Sequence, residues 1–138
     1  MSVTAVNPPE LGRPSGFSHA VVGRGRTVFL AGQTALDESG VIVGDTVVEQ
    51  FEKALTSLLT ALRATGGGPE HLTSLTIYIV DMEDYKARSR DIGEVWKRLV
   101  GRNYPAMAGI GVSRLWDVEA LVEVQGFAVL PDGLADDA

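Results

Sequence analysis

The run ALVEVQGFAVL, residues 120–130, alternates with the period of two that belongs to a β-strand. Val122, Val124, Gly126 and Ala128 share one face, which is apolar and small. Leu121, Glu123, Gln125, Phe127 and Val129 share the other, mostly apolar but with a carboxylate and an amide in its middle. A face turned to water would be more polar, and a core face would hold neither group, because burying an unpaired polar atom costs free energy. Both sides of the sheet that holds this strand therefore need cover.

The rest of the chain supplies cover for one side only. HAVVG (19–23) and RTVFLAG (26–32) read as short strands joined by a tight hairpin at Gly23–Gly25, and LDESG (36–40) as a turn before a short strand at 41–43. Thr46 opens a helix, with Glu49 three residues on completing a capping box. Val48, Phe51, Leu55, Leu58 and Leu62 follow at helical spacing, and Gly66–Gly68 stop the run. LTSLTIYIV (72–80) is a strand with Leu75, Ile77 and Ile79 on one face. A second helix is predicted from about Glu83 to Leu99, with Tyr85, Ile92, Trp96 and Leu99 as its apolar stripe; Gly101 ends it and Pro105 prevents its return. MAGIGV (107–112) and residues 120–130 complete a β-β-(β)-α-β-α-β-β order. That order implies an α+β fold, a mixed β-sheet with two helices on one face. The other face is expected to meet another subunit across a partly buried interface that carries a small polar site.

Length and charge narrow the function. The 138 residues suit a single domain, 1–138, in which 1–15 is an extended arm and 131–138 an acidic, frayed tail. Pro8, Pro9 and Pro14 are expected to forbid regular pairing in the arm. A net charge of −6 opposes nucleic-acid binding, which needs Lys and Arg to neutralise phosphates. Without Cys there is no thiolate catalysis, and with His19 and His71 as the only histidines no multi-His metal site is expected. No apolar leader and no stretch of ~18 apolar residues occurs, so no membrane association and a cytoplasmic location are expected.

Six stretches, in order, resemble one family. They are GFSHAV (16–21), VFLAGQTALDESGVIVG (28–44), EQFEKALTSLLTALRATGG (49–67), SLTIYIVDMEDY (74–85), YPAMAGIGVSRL (104–115) and LVEVQGFAV (121–129). Together they are similar to the Rid family, also called YjgF/YER057c/UK114 or endoribonuclease L-PSP, over about Pro14–Leu130. The resemblance implies a chorismate-mutase-like fold and a homotrimer whose sheets line a central β-barrel, with small-molecule clefts between subunits. It implies hydrolysis of reactive imines and enamines such as 2-aminoacrylate, without metal or organic cofactor. The historical ribonuclease role is disfavoured by the acidity and the lack of a His pair.

Site residues follow from the same resemblance. Glu123 matches the carboxylate that positions the attacking water, and a half-buried carboxyl can work near neutral pH. Gln125 falls where many members carry a second acid. Gly32 and Gly109 match positions whose backbone approaches the ligand. Met107 stands where active deaminases carry an Arg that clamps the substrate carboxylate, and Phe17 stands for a Tyr. A guanidinium fork makes charge-assisted hydrogen bonds of roughly 1.5–3 kcal/mol each, whereas Met offers dispersion and a weak acceptor. With Ala31 in place of a common Ser as well, the expected pocket is more apolar and its ligand a less anionic metabolite. Two functions follow: a hydrolase of a neutral or bulky imine or enamine, or a noncatalytic trimer that binds a metabolite. Trp116, in the loop before the last strand, is expected to pack on a neighbour, with capping of the cleft as the alternative.

Overall fold

Phe51, Leu55, Leu58 and Leu62 are all buried, and around them the chain builds its core. The computed structural model describes residues 3–133. Along them run strands β1 (Val3–Val6), β2 (Ala20–Gly23), β3 (Arg26–Gln33), β4 (Leu72–Ile79), β5 (Ala106–Gly111) and β6 (Val122–Leu130). The α-helices are α1 (Val47–Ala64), α2 (Met82–Ala87) and α3 (Ser89–Leu99).

Helix α1 starts where its capping box predicts. Glu49 N–H donates to Thr46 Oγ1 at 3.1 Å, and Thr46 N–H donates to Glu49 Oε1 at 3.1 Å. It ends where Gly66 turns to a φ of 95°, a conformation a side chain resists, and Gly67 N–H reaches back to the Leu62 carbonyl. Its inward face also includes Val47, Ala54 and Leu59, while Val48 is only half-buried.

The main sheet has the order β3-β6-β4-β5. Strand β6 is antiparallel to both neighbours, and β4 is parallel to β5. The parallel pair requires a crossover, which α2 and α3 supply. Leu75, Ile77 and Ile79 of β4 join Val122, Val124 and Ala128 of β6 beneath α1. Gly126 has no room for a side chain, since a Cβ there would strike the Ser74 carbonyl. Helix α3 lies beside α1, and Arg98 spans the two by a two-pronged pair with Glu52, at 2.8 and 3.3 Å. The opposite face of the sheet stays open. Phe29 is 76% exposed and Phe127 40%, their rings edge-to-face at 5.5 Å.

Four expectations are corrected. The Gly23–Gly25 hairpin does not form: β2 pairs with β1, and β3 pairs with β6. Strand β2 instead crosses one end of the open face, with Gly23 close against the side chains of Val129 and Thr73. The arm does pair, Val3–Val6 against Ala20–Gly23, because its first proline comes only at Pro8 and leaves those four donors intact. The strand at 41–43 shrinks to one bridge, Leu36 to Ile42, around a turn in which Asp37 Oδ1 accepts from the N–H groups of Ser39 and Val41. The single helix from 83 to 99 is two, so three α-helices, not two, accompany the sheet. Arg88, at a ψ of 14°, opens the turn between α2 and α3. Of the expected tail, Pro131–Gly133 is described and residues 134–138 lie outside the described residues.

Candidate ligand site

The sheet register divides the expected site residues between two faces. Tyr78 sits opposite Glu123, and Thr76 opposite Gln125, on the open face. There the Tyr78 hydroxyl bonds Gln125 Oε1 at 3.1 Å. Glu123 is half-buried, and its carboxylate lies directly over Gly32, so that a side chain at position 32 would collide with it. The bulge between Leu30 and Gln33 carries Gly32 to that spot. Among the described residues Glu123 makes no ion pair or side-chain hydrogen bond.

Met107 and Gly109 are on the other side. They sit opposite Leu75 and Ile77, which face the helices. A Cβ on Gly109 would touch Ile79 Cδ1 at an ordinary 3.6 Å, so the backbone there is open to approach. Phe17 is edge-on to His19, at 5.1 Å, in the segment that leads into β2 and touches the start of β5 through the Ser18–Ala106 bridge. Its neighbour Ser18 is buried, donating through N–H to the Pro105 carbonyl at 3.0 Å and through Oγ to the Tyr104 carbonyl at 2.6 Å. His19 is tied up locally, its N–H on Asn7 Oδ1 and its Nε2 against the Gly12 carbonyl. Within one chain Glu123, Gln125 and Gly32 are thus gathered, and Met107 and Gly109 are gathered, but the sheet separates the two groups.

A cavity of about 520 Å³ opens on the helix side. Met107, Ile77 and Phe51 form its apolar floor, and Tyr85 of α2 stands in one wall. Helix α3 contributes Arg90, Gly93, Trp96 and Lys97, and Ser15, Gly16 and Tyr104 close the far side. Trp96 and Tyr104 stack at 6.2 Å, and the indole N–H is anchored on the Asn103 carbonyl at 3.1 Å. Asn103 in turn donates to the Pro69 carbonyl at 2.6 Å. These two bonds tie the Trp96 side of the wall to the loop before β5 and to the turn at Pro69. Burial pushes the Tyr85 phenol up to about 12, so its hydroxyl is a neutral donor at any ordinary pH.

Known proteins share this architecture. The family described as endoribonuclease L-PSP matches residues 10–130. The chain belongs to the Rid family. Among Rid-family relatives, the RutC family protein UK114 of Drosophila melanogaster is 32% identical over 114 residues, covering 82% of this chain and 78% of the fly protein. A protein of Capra hircus named 2-iminobutanoate/2-iminopropanoate deaminase is 31% identical over 127 residues, covering 91% of this chain and 86% of the goat protein. The crystal structure of the Rid-family protein YyfB from Yersinia pestis, described as of unknown function, superposes with a TM-score of 0.84 at 32% identity. It covers 94% of this chain and 100% of that one.

Sequence reasoning within the Rid family missed the cavity's walls. Tyr85 and Trp96 read as core stripe, and Arg90 and Lys97 carried no expectation. A signal was present: Arg90, Gly93 and Lys97 fall three and four residues apart, so they share one face of α3. Trp116 is 91% exposed within the chain, and in its loop Arg114 donates to the carbonyls of Leu115 and Trp116. No helix among the described residues is long and apolar enough to cross a membrane.

Proposed function

We propose that this Rid-family chain hydrolyses a reactive imine or enamine, with Glu123 as the group that positions and activates water. The observation that carries the reading is a half-buried carboxylate on an otherwise apolar sheet face, without an ion-pair partner among the described residues and held against the bare backbone of Gly32. A free acid in such a place can take a proton from water as the water oxygen bonds to the imine carbon. That proton passes to the imine nitrogen, giving a carbinolamine; the proton of its new hydroxyl is then carried to the same nitrogen as the C–N bond breaks, so ammonia leaves and a carbonyl remains. No metal or cofactor is needed for that balance. Relatives named 2-iminobutanoate/2-iminopropanoate deaminase support the reaction class.

The working unit in this proposal is a homotrimer. The open face, with Phe29 and Phe127 exposed, is covered when three sheets close a central barrel. Glu123 of one copy and the Met107 cavity of the next then border one cleft, with Phe17, Gly109 and Gln125 around it. Light scattering is expected to give about three times the 14.7 kDa chain mass. Ammonia release above the spontaneous rate, from 2-iminopropanoate or from 2-aminoacrylate generated enzymatically, tests the chemistry. Glu123→Ala is expected to lower it about a hundredfold with the assembly unchanged; a rate unaffected by that change overturns the assignment. A second reading, a noncatalytic metabolite-binding trimer, is favoured by Met107, which leaves β5 without a guanidinium. It predicts no turnover by the natural protein and a gain in Met107→Arg.

A further inference from the structure

The cavity over Met107 carries positive charge that β5 does not supply. Arg90 and Lys97 line it from α3, two turns apart, a rise of about 10 Å along the helix. Gly93 lies between them, and the space its side chain would fill is empty for at least 4 Å. A second recess, of about 550 Å³, shares Lys97 and Tyr104 with the cavity and adds Arg102. None of the three cations has an ion-pair or hydrogen-bond partner for its side chain among the described residues, although the chain as a whole is acidic, at −6. Arg88 and Arg98, which bracket the same helix, are paired, with Asp84 and Glu52. No carboxylate lines either recess. The two unpaired cations of α3, Arg90 and Lys97, thus both line a hollow, and Arg102 just beyond the helix lines the adjoining one. The Tyr85 hydroxyl, in the same hollow, also lacks a hydrogen-bond partner among the described residues.

We infer that this cavity takes an organic acid with an apolar body, whose carboxylate is held at the mouth by Arg90 and Lys97. The body lies on Met107, Ile77 and Phe51 against the Trp96 ring, where a guanidinium at 107 would have left no apolar floor. Anion recognition has thus moved from strand to helix, and the freed floor admits a larger apolar group. This departs from the less anionic ligand expected from Met107 alone. Helix cations reach the ligand past Gly93, which lets the acid approach the helix surface. The inference rests on the small-molecule reading above but not on its chemistry, since it concerns binding alone.

The probe is 3-phenylpropanoate, with 3-phenylpropanol as its neutral counterpart and acetate as an acid without the apolar body. Trp96 reports binding by fluorescence, in a Trp116→Phe background that removes the exposed indole. The acid is expected to saturate the signal at least about tenfold more tightly than the alcohol, the worth of one charge-assisted hydrogen bond. Acetate is expected to leave the signal unchanged. Arg90→Gln with Lys97→Gln is expected to erase the preference for the acid, while Arg98→Gln, on the paired face, keeps it. Equal binding of acid and alcohol, a preference that survives the double change, equal loss in Arg98→Gln, or no saturation at millimolar concentration overturns the inference. Ammonia release without acid preference sinks this inference alone; acid preference without ammonia release sinks only the hydrolase.

Discussion

Gln50 is 3% exposed in the middle of an apolar helix face, and every hydrogen-bonding atom of its amide is used. Nε2 donates to the carbonyls of Gly44 and Glu119, at 3.1 and 3.2 Å, and Oε1 accepts from Leu121 N–H at 2.8 Å. One side chain thereby fixes both the entry to α1 and the entry to β6. Gln50→Leu strands those three backbone groups, and urea unfolding is expected to show a loss of about 2–3 kcal/mol. Tyr85 gives a pH-dependent counterpart. Its folded-state pKa, about 12, lies above the unfolded value near 10. Its contribution is therefore whole below about pH 10 and is lost as pH rises through the window from about 10 to 12. Tyr85→Phe is expected to flatten the fall in stability across that window by about 1–2 kcal/mol, measured by denaturant titration at several pH values; an unchanged slope would refute the burial of the phenol.

At the level of elements, α3 is built against its own propensity. Gly93 sits near its middle, where Gly costs a helix about 1 kcal/mol relative to Ala. Its φ is ordinary, so neither a turn nor strain requires it. Gly93→Ala meets nothing within 4 Å and is expected to raise unfolding free energy by about 0.5–1 kcal/mol, while narrowing the cavity and weakening 3-phenylpropanoate. A destabilised variant would show that Gly93 serves packing instead. The break at Arg88 was invisible in sequence for a related reason. Tyr85 and Ile92 stay two turns apart across it, so the apolar period passes through without a gap. The hairpin failed differently. Gly-Arg-Gly is good turn chemistry, but β2 found its partner in Val3–Val6, upstream on the far side of the proline-rich stretch, and no local signal encodes that choice.

For the whole molecule, the decisive imbalance is between a sheet with two apolar faces and helices that cover one. Phe29 and Phe127 mark the uncovered side. Phe29→Glu places a charge in the proposed barrel, and light scattering is expected to fall from about three chain masses toward one. Urea stability of the separated chain is expected to stay within about 0.5 kcal/mol, since position 29 is exposed within a chain. A trimer that survives the change would remove the open face from the assembly.

The sequence by itself determined the helix α1 with its cap and stop, the strands β4 and β6 with their faces, and the family, because each is written in local period or contiguous motif. It also exposed Glu123 as an acid misplaced on an apolar face. Only the tertiary structure decided that β2 pairs with β1, that Glu123 and Met107 stand on opposite sides of one sheet, and that Arg90 and Lys97 face a hollow. Strand register, sheet order and the packing of α3 join residues far apart in the chain, and no period within one segment records what the opposite segment presents.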